Sequence, residues 1–382
     1  MKVKLLSILF AVLLLTIVIS GCFEEKPKTS SYDILVDDDG DADYSKIQDA
    51  IDNASNGDTI YVKSGTYNES IMIFKPITLI GENKDTTIID RYSKTSKYFV
   101  KSTIDIYADN ITIDGFTIND NSYAIKIYSD YNKISNNVFT DNLDGVALEG
   151  ANNNIITNNI FRNNSISLKS NACYNYVAYN TIKDSTGGIS LTDSYENTIE
   201  KNNIIACNND GISIWTSDKN KIIKNTITDT LHSGIVLQDS NNNLISKNSI
   251  KDNNQGIVLL ESSYNTLKLN LLSDNEHGLT IHSVSSAYDN GSISYSENNT
   301  IYQNNFENTI ANCLDGSTDL KNNSNVFYNE SIKTGNYWDD YIGIHLENIE
   351  VEDKVYYIYP NSYIKEEATN KDKYPSITPF DI

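Results

Sequence analysis

The chain has 382 residues, a formal net charge of −21 at pH 7 and a hydrophobic content of 39%. That hydrophobic content can build a core, so the composition argues against a wholly disordered chain. Because the chain is so acidic, we predict no nucleic-acid partner, and an acidic polysaccharide would need cations in between.

An export signal is the first element predicted along the chain. A basic start is followed by the apolar run Leu5 to Ile19, which is too short to span a membrane comfortably. Cys22 follows and resembles the lipobox cysteine of prokaryotic lipoproteins. We predict a cleaved signal peptide over 1–21, a lipid on Cys22 and a polar tether over 22–31; an uncleaved anchor helix is the alternative. Either way, the rest of the chain is expected to be extracytoplasmic, at the cell surface, and attached to the membrane only through its N-terminus.

Residues 32–57 are predicted to contain a short strand and a capping helix. Ile47, Ala50 and Ile51 recur at helical spacing in this segment. A repeat structure needs its open end covered, and a helix that precedes the first repeats is well placed to cover it.

A loop in the same segment spaces its acids like a calcium-binding loop. Asp37, Asp39 and Asp41 alternate with other residues, but the glutamate that completes an EF-hand is missing. Acids just before a helix are also favoured by the helix dipole, so both interpretations stay open. Calcium at these three aspartates is a hypothesis, and no other cofactor is predicted.

Residues 58–330 carry an internal repeat that predicts a parallel β-helix. The pattern Asn-x-Ile-x-x-Asn-x-Ile recurs every 21 to 23 residues, with one gap of 34 residues. Its first asparagine is expected at Asn132, Asn153, Asn175, Asn197, Asn220, Asn243, Asn265 and Asn299. Its second is expected at Asn137, Asn158, Asn180, Asn202, Asn225, Asn248, Asn270 and Asn304. Between these segments, a Gly-apolar-x-apolar motif begins at Gly145, Gly188, Gly211, Gly234, Gly256 and Gly278.

Short strands are favoured over helices within each repeat. A period near 22 residues also fits leucine-rich repeats, but the apolar residues here alternate with period two, as in Ile212 and Ile214. Three strands per repeat, stacked about 4.8 Å apart, give an all-β parallel β-helix of roughly eleven coils. The asparagines are expected to bond to local backbone and to the asparagine one coil away, forming an Asn ladder. The glycines are expected where the chain bends sharply.

Three other features complete the prediction along the chain. Residues 331–382 are predicted to form a C-terminal cap. Cys173, Cys207 and Cys313 are predicted to be buried thiols, because they are odd in number and far apart in the repeat. Tyrosine-rich stretches such as YAIKIYSDY are either sugar platforms or stacked columns on one side of the β-helix.

The sequence resembles known β-helix families in three places. The segment Tyr44 to Asp90 is similar to the N-terminal cap and first coils of pectate-lyase-like proteins, and the repeats resemble the carbohydrate-binding and sugar-hydrolase domain. The stretch GNYWDDYIG, Gly335 to Gly343, followed by DKYPSITPF, resembles the end of NosD-like proteins. The resemblance implies a right-handed, single-stranded β-helix. That scaffold hosts lyases, epimerases, hydrolases, accessory proteins and surface proteins.

The chemistry implied by these relatives is poorly represented in the sequence. The Asn-Thr-Asp, Gly-His-Gly and Arg-Ile-Lys motifs of polygalacturonases and the Asp-Pro-His-Asp motif of mannuronan epimerases are absent. A NosD-like protein would be a copper-linked accessory protein, and copper sites use clustered His, Met or Cys. The four histidines and the cysteines are scattered along the sequence, which argues against a copper site.

One face of the predicted β-helix groups polar and aromatic residues. An outward column should follow the second inward residue of each glycine-motif strand. Its ligand-binding candidates are Glu149, Thr192, Trp215, Gln238 and His282. The turns before the glycines supply the catalytic candidates Asp210, His232 and His277. Trp215 would stack on a sugar ring, and His232 with Asp210 would form an acid–base pair if the protein is an enzyme. Alternatively, the segment between Leu272 and Asn299 covers Trp215, and the histidines are ordinary turn residues.

Three functions follow from these observations. The first is a non-catalytic cell-surface lipoprotein that presents this face to a carbohydrate or a cell-surface protein. The second is a carbohydrate-active enzyme, a lyase, epimerase or hydrolase, that uses the same face. The third is a NosD-like accessory protein for a secreted metalloenzyme. The missing enzyme motifs and the lipobox favour the first.

Overall fold

The computed structural model describes residues 32–90, 102–119, 123–282, 284–285, 293–294, 296–316, 325–339, 372, 374, 376 and 378–382. From Asp33 onward these residues belong to one structural unit. The predicted signal peptide, Cys22, the tether and most of the predicted C-terminal cap lie outside the described residues.

Three parallel sheets run the length of this unit, and each coil adds one short strand to each sheet. In the described part of the chain, sheet 1 contains β1 (Ile34–Val36), β2 (Thr59–Val62), β5 (Thr78–Gly81), β8 (Thr112–Asp114), β11 (Lys133–Ser135), β14 (Ile155–Thr157), β17 (Tyr176–Ala178), β20 (Thr198–Glu200), β23 (Lys221–Ile223), β26 (Leu244–Ser246), β29 (Thr266–Lys268) and β34 (Thr300–Tyr302). Sheet 2 contains β3 (Gly65–Tyr67), β6 (Thr87–Asp90), β9 (Thr117–Asn119), β12 (Val138–Thr140), β15 (Ile160–Arg162), β18 (Thr181–Lys183), β21 (Asn203–Ile205), β24 (Thr226–Thr228), β27 (Ser249–Lys251), β30 (Leu271–Ser273), β35 (Asn305–Glu307) and β37 (Tyr337–Trp338).

Sheet 3 includes the strands that carry the glycine motif. Its described strands are β4 (Ile71–Ile73), β7 (Ser102–Ile106), β10 (Tyr123–Ile127), β13 (Asp144–Glu149), β16 (Ser165–Lys169), β19 (Ile189–Thr192), β22 (Ile212–Trp215), β25 (Ser233–Gln238), β28 (Gln255–Leu260), β31 (His277–His282) and β36 (Ala311–Gly316). A separate antiparallel pair joins β32 (Val284–Ser285) to β33 (Ile293–Ser294). The fold is a right-handed parallel β-helix of about 11 turns, as predicted.

The core consists of apolar columns inside this triangular stack. Alternate residues of each strand point inward, so the same apolar position recurs one coil above another. Ile204, Ile227 and Ile250 form one such column and have no exposed surface. Phe139 stacks on Phe161 with ring centroids 4.7 Å apart. Repetition of one side-chain shape therefore packs the interior without gaps between coils.

Two asparagine ladders flank sheet 1, one at each end of its strands. The first contains Asn132, Asn154, Asn175, Asn197, Asn220, Asn243, Asn265, Asn299 and Asn325. The second contains Asn137, Asn159, Asn180, Asn202, Asn225, Asn248, Asn270, Asn304 and Asn336. Each Asn is buried, and each bonds to the next coil, which confirms the predicted stacking.

One rung shows how a ladder asparagine uses all its polar atoms. Oδ1 of Asn225 accepts hydrogen bonds from the backbone N–H of Asn202, at 2.9 Å, and from its side-chain amide, at 3.0 Å. The amide of Asn225 donates to the carbonyl of Ile199 at 2.9 Å. Turn amides and carbonyls that no sheet could pair are thereby satisfied.

The predicted ladder positions Asn153 and Asn158 are wrong by one residue. Asn154 and Asn159 make the ladder bonds, whereas Asn153 and Asn158 lie just before them at φ values of 56° and 57°. The chain passes through a left-handed residue before most of the ladder positions, such as Tyr174 before Asn175 and Lys224 before Asn225, and asparagine tolerates that conformation well. Where two asparagines are adjacent, the first makes the turn and the second joins the ladder.

The glycine column of sheet 3 exists because adjacent coils leave no room for a Cβ atom. A Cβ atom on Gly188 would lie 2.1 Å from the carbonyl oxygen of Gly211, and one on Gly234 would lie 2.8 Å from that of Gly256. Neither glycine has a positive φ. The expectation of a sharp bend is therefore corrected: close approach of backbones requires these glycines.

The helix α1 (Ile47–Asn53) packs against β1, β2 and β4, in the first coil. It buries Ile47, Ala50 and Ile51, the residues whose spacing predicted it. The carboxylate of Glu69 accepts hydrogen bonds from the backbone N–H groups of Ile47 and Gln48 at 2.8 and 2.9 Å. A side chain of the β-helix thus satisfies the first turn of the helix, where no local side chain caps it.

The second ladder ends on a residue from the C-terminal tail. β37 extends the coils to Trp338, past the boundary predicted at residue 330. Oδ2 of Asp372 accepts hydrogen bonds from the backbone N–H of Asn336 at 2.6 Å and from Nε1 of Trp338 at 3.1 Å, and Oδ1 accepts one from the N–H of Tyr374 at 3.0 Å. Burial, partly offset by these bonds, raises the pKa of Asp372 to about 6.

The cysteines differ in exposure. Cys207 and Cys313 are buried, as predicted, but Cys173 is only partly buried, so that expectation is wrong for it. Burial raises the pKa of the Cys207 thiol to about 12, which keeps it protonated. Within the described ranges, no helix combines the length and apolar character needed to cross a membrane.

Candidate functional site

The outer face of sheet 3 carries a central column of small side chains, here called the floor column. The floor column consists of Ala147, Ser167, Ser190, Ser213, Val236, Val258 and Thr280, each paired with the next in register. Although these residues alternate with the inward isoleucines and leucines, most are buried; Ser167 is 1% and Val236 is 8% exposed. Larger side chains flank the floor column on both sides. We call this surface the groove.

One side of the groove is the outward column predicted from the sequence, here called the tryptophan column. It contains Glu149, Lys169, Thr192, Trp215, Gln238, Leu260 and His282. Trp215 is 49% exposed, and part of the segment proposed to cover it lies outside the described residues. The ligand-binding candidates therefore share one column, although whether they bind a ligand stays a prediction.

An aromatic stack extends the tryptophan column toward the N-terminus. Ile73, Ile106 and Ile127 pair with one another coil by coil, and Ile127 pairs with Leu148. Phe74, Tyr107 and Tyr128 each come directly after one of these isoleucines, as Glu149 comes directly after Leu148. Ring centroids are 4.9 Å apart for Phe74 and Tyr107 and 5.1 Å apart for Tyr107 and Tyr128. The three side chains are 66%, 44% and 40% exposed. Burial and the Asp105 carboxylate raise the pKa of Tyr128 to about 12, so it stays a neutral phenol.

The sequence only partly indicated this stack. The stretch YAIKIYSDY marked Tyr128, but Phe74 and Tyr107 lie in coils whose asparagine pattern is weak. The rule for the tryptophan column would have found both residues, because each comes directly after the second inward isoleucine of its strand, β4 or β7. The register partners Ile73 and Ile106 are 33 residues apart, compared with 21 to 23 residues in the regular coils, and this irregular spacing obscured the register.

The other side of the groove is the turn column: Asp144, Ser165, Asp210, Ser233, Gln255 and His277. Asp144 is 7% exposed, yet its carboxylate is fully engaged. Ser165 donates to Oδ1 of Asp144, Ser167 donates to Oδ2 at 2.9 Å, and Lys169 lies 3.4 Å from Oδ2. A turn-column side chain can therefore reach three positions across the next coil.

The catalytic candidates Asp210 and His232 lie on adjacent coils, and whether they act as an acid–base pair stays a prediction. Oδ1 of Asp210 accepts a hydrogen bond from the backbone N–H of Ser233 at 2.9 Å, and none of the described hydrogen bonds joins it to the exposed imidazole of His232. Asp210 and Trp215 lie on opposite sides of the groove, five residues or about 16 Å apart along the strand. His277 is in the turn column, two coils beyond Asp210.

The aspartates of the predicted calcium loop are close together. Carboxylate oxygens of Asp37, Asp38 and Asp39 lie within 4.8 Å of one another, and Asp41 is outside this group. Asp38 accepts a hydrogen bond from the N–H of Thr66 at 3.1 Å, so part of the group already has a protein partner. Exposed carboxylates often cluster without an ion, and calcium here stays a hypothesis.

Comparison with protein families matches residues 51–229 and 208–343 to the family described as periplasmic copper-binding protein (NosD). The two matches together span more than half of the 382 residues. The chain belongs to the NosD family. A search of curated proteins finds no match for this NosD chain.

Solved structures similar to the NosD chain include enzymes that act on polysaccharides. The periplasmic alginate epimerase AlgG is 15% identical with a TM-score of 0.53, and the match covers 74% of this chain and 82% of that chain. The Dettilon tailspike protein (gp208) is 15% identical with a TM-score of 0.57, covering 73% and 60%. The Azotobacter vinelandii mannuronan C-5 epimerase AlgE4 A-module is 14% identical with a TM-score of 0.48, covering 73% and 90%. For AlgG and the tailspike protein, similarity at these identities shows the shared fold.

The family description raises the question of whether copper fits this NosD chain. Copper prefers thiolate, thioether or imidazole ligands grouped within bonding distance. Across the described ranges, the group of acidic, cysteine or histidine side chains near enough to share an ion is Asp37, Asp38 and Asp39, whose hard oxygens suit calcium or magnesium instead. The described residues therefore do not fit a copper site.

Proposed function

We propose that this NosD-family chain is an extracytoplasmic lipoprotein whose groove binds a glycan without chemically altering it. The observation that carries the proposal is the outer face of sheet 3, where a floor of small side chains lies between two columns of larger ones. Half-exposed Trp215 stands at the side of that floor. An exposed indole beside polar side chains suits a sugar ring, which has one apolar face and a rim of hydroxyl groups.

The length of the groove favours an oligosaccharide over a single sugar. Tyr128 and Trp215 occupy the same column four coils apart, or about 19 Å at the spacing of stacked strands. Thr192 and the side chains around it lie between them. Several sugar units would be needed to contact both aromatic positions.

Two arrangements support binding over catalysis. Asp144 already bonds to Ser165 and Ser167 and pairs with Lys169, so its carboxylate is not available as an acid or base. Asp210 bonds to a backbone N–H group and not to His232. A general base must reach the proton that it removes and be held there by a partner, and neither carboxylate meets both conditions.

The test is glycan binding by the Trp215→Ala variant. We expect a loss of at least tenfold in affinity, because buried tryptophan contacts at binding sites contribute about 1.4 kcal/mol or more. Ile155→Ala is the matched control, since it truncates a 41% exposed apolar side chain on sheet 1. Equal affinity for the wild type and Trp215→Ala would overturn the groove as the binding site. Product release on incubation with the bound glycan would overturn the non-catalytic assignment.

The membrane anchor has a separate test. Lipidation of Cys22 would move the chain into the detergent phase during phase partitioning, and Cys22→Ala would return it to the aqueous phase. Detergent partitioning that is unchanged in Cys22→Ala would favour the uncleaved anchor helix.

A copper-linked accessory role for a secreted metalloenzyme is the second candidate, favoured by the family description. Equilibrium dialysis against Cu(I) and Cu(II), followed by metal analysis, tests it. Retention of one tightly bound copper per chain would support this role and would require ligands outside the described residues, such as His345. Retention of none would remove it.

A further inference from the structure

Three buried polar atoms near the C-terminal end of the groove have no hydrogen-bond partner. They are Oε1 of Gln255, Nδ1 of His277 and Oγ1 of Thr280. Thr280 is 2% exposed, whereas Gln255 and His277 are partly exposed as residues. Buried polar atoms are nearly always bonded, and one left without a partner is destabilising. Of the four such side-chain atoms among the described residues, three belong to β28 and β31, and the fourth, Oδ1 of Asn142, lies elsewhere.

The register of sheet 3 brings the three side chains to one place. Gln255 pairs directly with His277 in the turn column, and Val258 pairs with Thr280 in the floor column. Thr280 and His277 belong to the same strand, β31. Gln255 and His277 are thus direct neighbours, and Thr280 lies about 10 Å further along the strand, where the turn column gives way to the floor of the groove.

A related arrangement near the N-terminal end of the groove is closed by hydrogen bonds. There Asp144 in the turn column bonds to three positions of the next coil: Ser165 in the turn column, Ser167 in the floor column and Lys169 in the tryptophan column. The register shifts between Asp144 and Val146, so Ser165 and Ser167 are two residues apart, whereas His277 and Thr280 are three residues apart. The corresponding positions at the C-terminal end are occupied by Gln255, His277, Thr280 and His282.

We propose that Gln255, His277 and Thr280 form a subsite for adjacent hydroxyl groups of a neutral sugar. The proposal rests on the glycan-binding function of the groove. A hydroxyl group can donate to Oε1 of Gln255 and accept from Oγ1 of Thr280, because it is both donor and acceptor. A second hydroxyl group on the next carbon can bond to Nδ1 of His277. One sugar edge would satisfy all three atoms.

Charged ligands fit this subsite less well. A carboxylate only accepts hydrogen bonds, so it cannot satisfy Oε1 of Gln255. The described strands of sheet 3 contain two lysines and no arginine, and both lysines have partners: Lys169 pairs with Asp144, and Lys126 lies 3.9 Å from the Tyr123 ring centroid. An ammonium group would be buried without a carboxylate among the three lining side chains, which is costly.

Entry to the subsite requires side-chain movement. The three atoms are enclosed, but Gln255 and His277 are partly exposed as residues and can rotate outward. The subsite would be closed when empty, and rotation of Gln255 and His277 would admit the sugar edge. Such a site discriminates strongly against ligands that lack the hydroxyl groups, because its polar atoms would then stay unpaired.

The experiment compares three classes of oligosaccharide by isothermal titration calorimetry. The probes are neutral xylo-, manno- and cello-oligosaccharides, anionic oligogalacturonate and cationic chitosan oligosaccharides. Thr280→Val removes one hydroxyl group at nearly constant volume, and Thr228→Val on sheet 2 is the matched control. We expect a neutral probe to bind best, and we expect Thr280→Val to lower the affinity for that probe about tenfold. The variant should unfold at the same or a higher temperature, because no bond is lost in the free protein.

Each outcome decides a different point. If a neutral glycan binds the wild type, and its affinity falls in Trp215→Ala but not in Thr280→Val, the groove stands and the subsite is overturned. If the anionic or cationic probe binds better than every neutral one, the ligand class is overturned. If no probe binds the wild type, the proposed function fails, and the subsite fails with it.

Discussion

The two asparagine ladders and the groove lie on the same coils but follow opposite rules. In the ladders, one residue type recurs from coil to coil, and each side chain bonds to its own copy one coil away. In the groove, Thr192, Trp215, Gln238 and Leu260 succeed one another at a single position. One region repeats and the other varies, although both have the same backbone geometry.

This difference shows which positions the scaffold constrains. A ladder asparagine must match its neighbours, because an unmatched rung leaves buried donors and acceptors without partners. A side chain of the tryptophan column has solvent on one side, so no neighbouring coil dictates its identity. The side chains at this position can therefore differ from coil to coil to suit a ligand. Substitutions in each region test this difference.

The largest loss of stability is expected from removing a ladder side chain. Asn225→Ala leaves the backbone N–H and side-chain amide of Asn202 and the carbonyl of Ile199 without their partner. At about 1–3 kcal/mol for each unsatisfied buried group, the free energy of unfolding should fall by about 3 kcal/mol or more. Urea denaturation measures it. Asn208→Ala, at an exposed turn, is the control and should change stability by less than about 0.5 kcal/mol. Similar losses in both variants would contradict the role of the ladder.

A somewhat smaller loss is expected in the glycine column beneath the groove. Gly188→Ala forces a Cβ atom against the carbonyl oxygen of Gly211, whereas the nearest such atom to a Cβ on Gly187 is 3.8 Å away. We expect Gly188→Ala to lower the free energy of unfolding by about 2 kcal/mol and Gly187→Ala to change it little. Thermal unfolding of the two neighbouring variants measures the difference. Equal effects would mean that close approach does not explain the column.

The end of the second ladder should respond to pH. The pKa of Asp372 is about 6 in the folded chain and 3.8 in its reference state, so folding favours the protonated carboxyl group. Its contribution to stability is complete below about pH 4 and is lost as the pH rises through 6, a change of at most about 3 kcal/mol.

Asp372→Asn isolates this effect, because asparagine does not titrate. The stability of the variant relative to the wild type should rise between pH 4 and pH 6 and be constant above pH 7. Parallel stability curves for the two proteins across that range would rule out titration of Asp372 as the cause.

The smallest effect on stability is expected at the exposed side of the groove. Tyr107→Leu removes the middle ring of the aromatic stack, but the ring is 44% exposed and its neighbours stay solvated. The free energy of unfolding should change by less than about 1 kcal/mol. The loss of glycan-binding free energy should be larger than the loss of unfolding free energy. Loss of stability without loss of affinity would make the stack a structural column and shorten the proposed groove.

Much of the fold could be predicted because its determinants recur at a fixed spacing. The period near 22 residues, the alternation of Ile212 with Ile214 and the recurring asparagines specify stacked short strands before any contact is known. The tryptophan column followed from the same register. The one-residue error at Asn153 and Asn158 arose because adjacent asparagines look identical in sequence, and only φ separates the residue that turns the chain from the one that stacks.

The sequence by itself determined the repeat, the parallel β-helix and the column to which Trp215 belongs, since each depends on spacing along one chain. The tertiary structure alone decided which side chains meet across irregular separations. It joined Asp372 to Asn336, stacked Phe74 on Tyr107 and left the polar atoms of Gln255, His277 and Thr280 without partners. The physical reason is that a hydrogen bond or a ring contact depends on distances in space. An insertion between coils changes the separation along the chain without changing the spacing of the stacked strands.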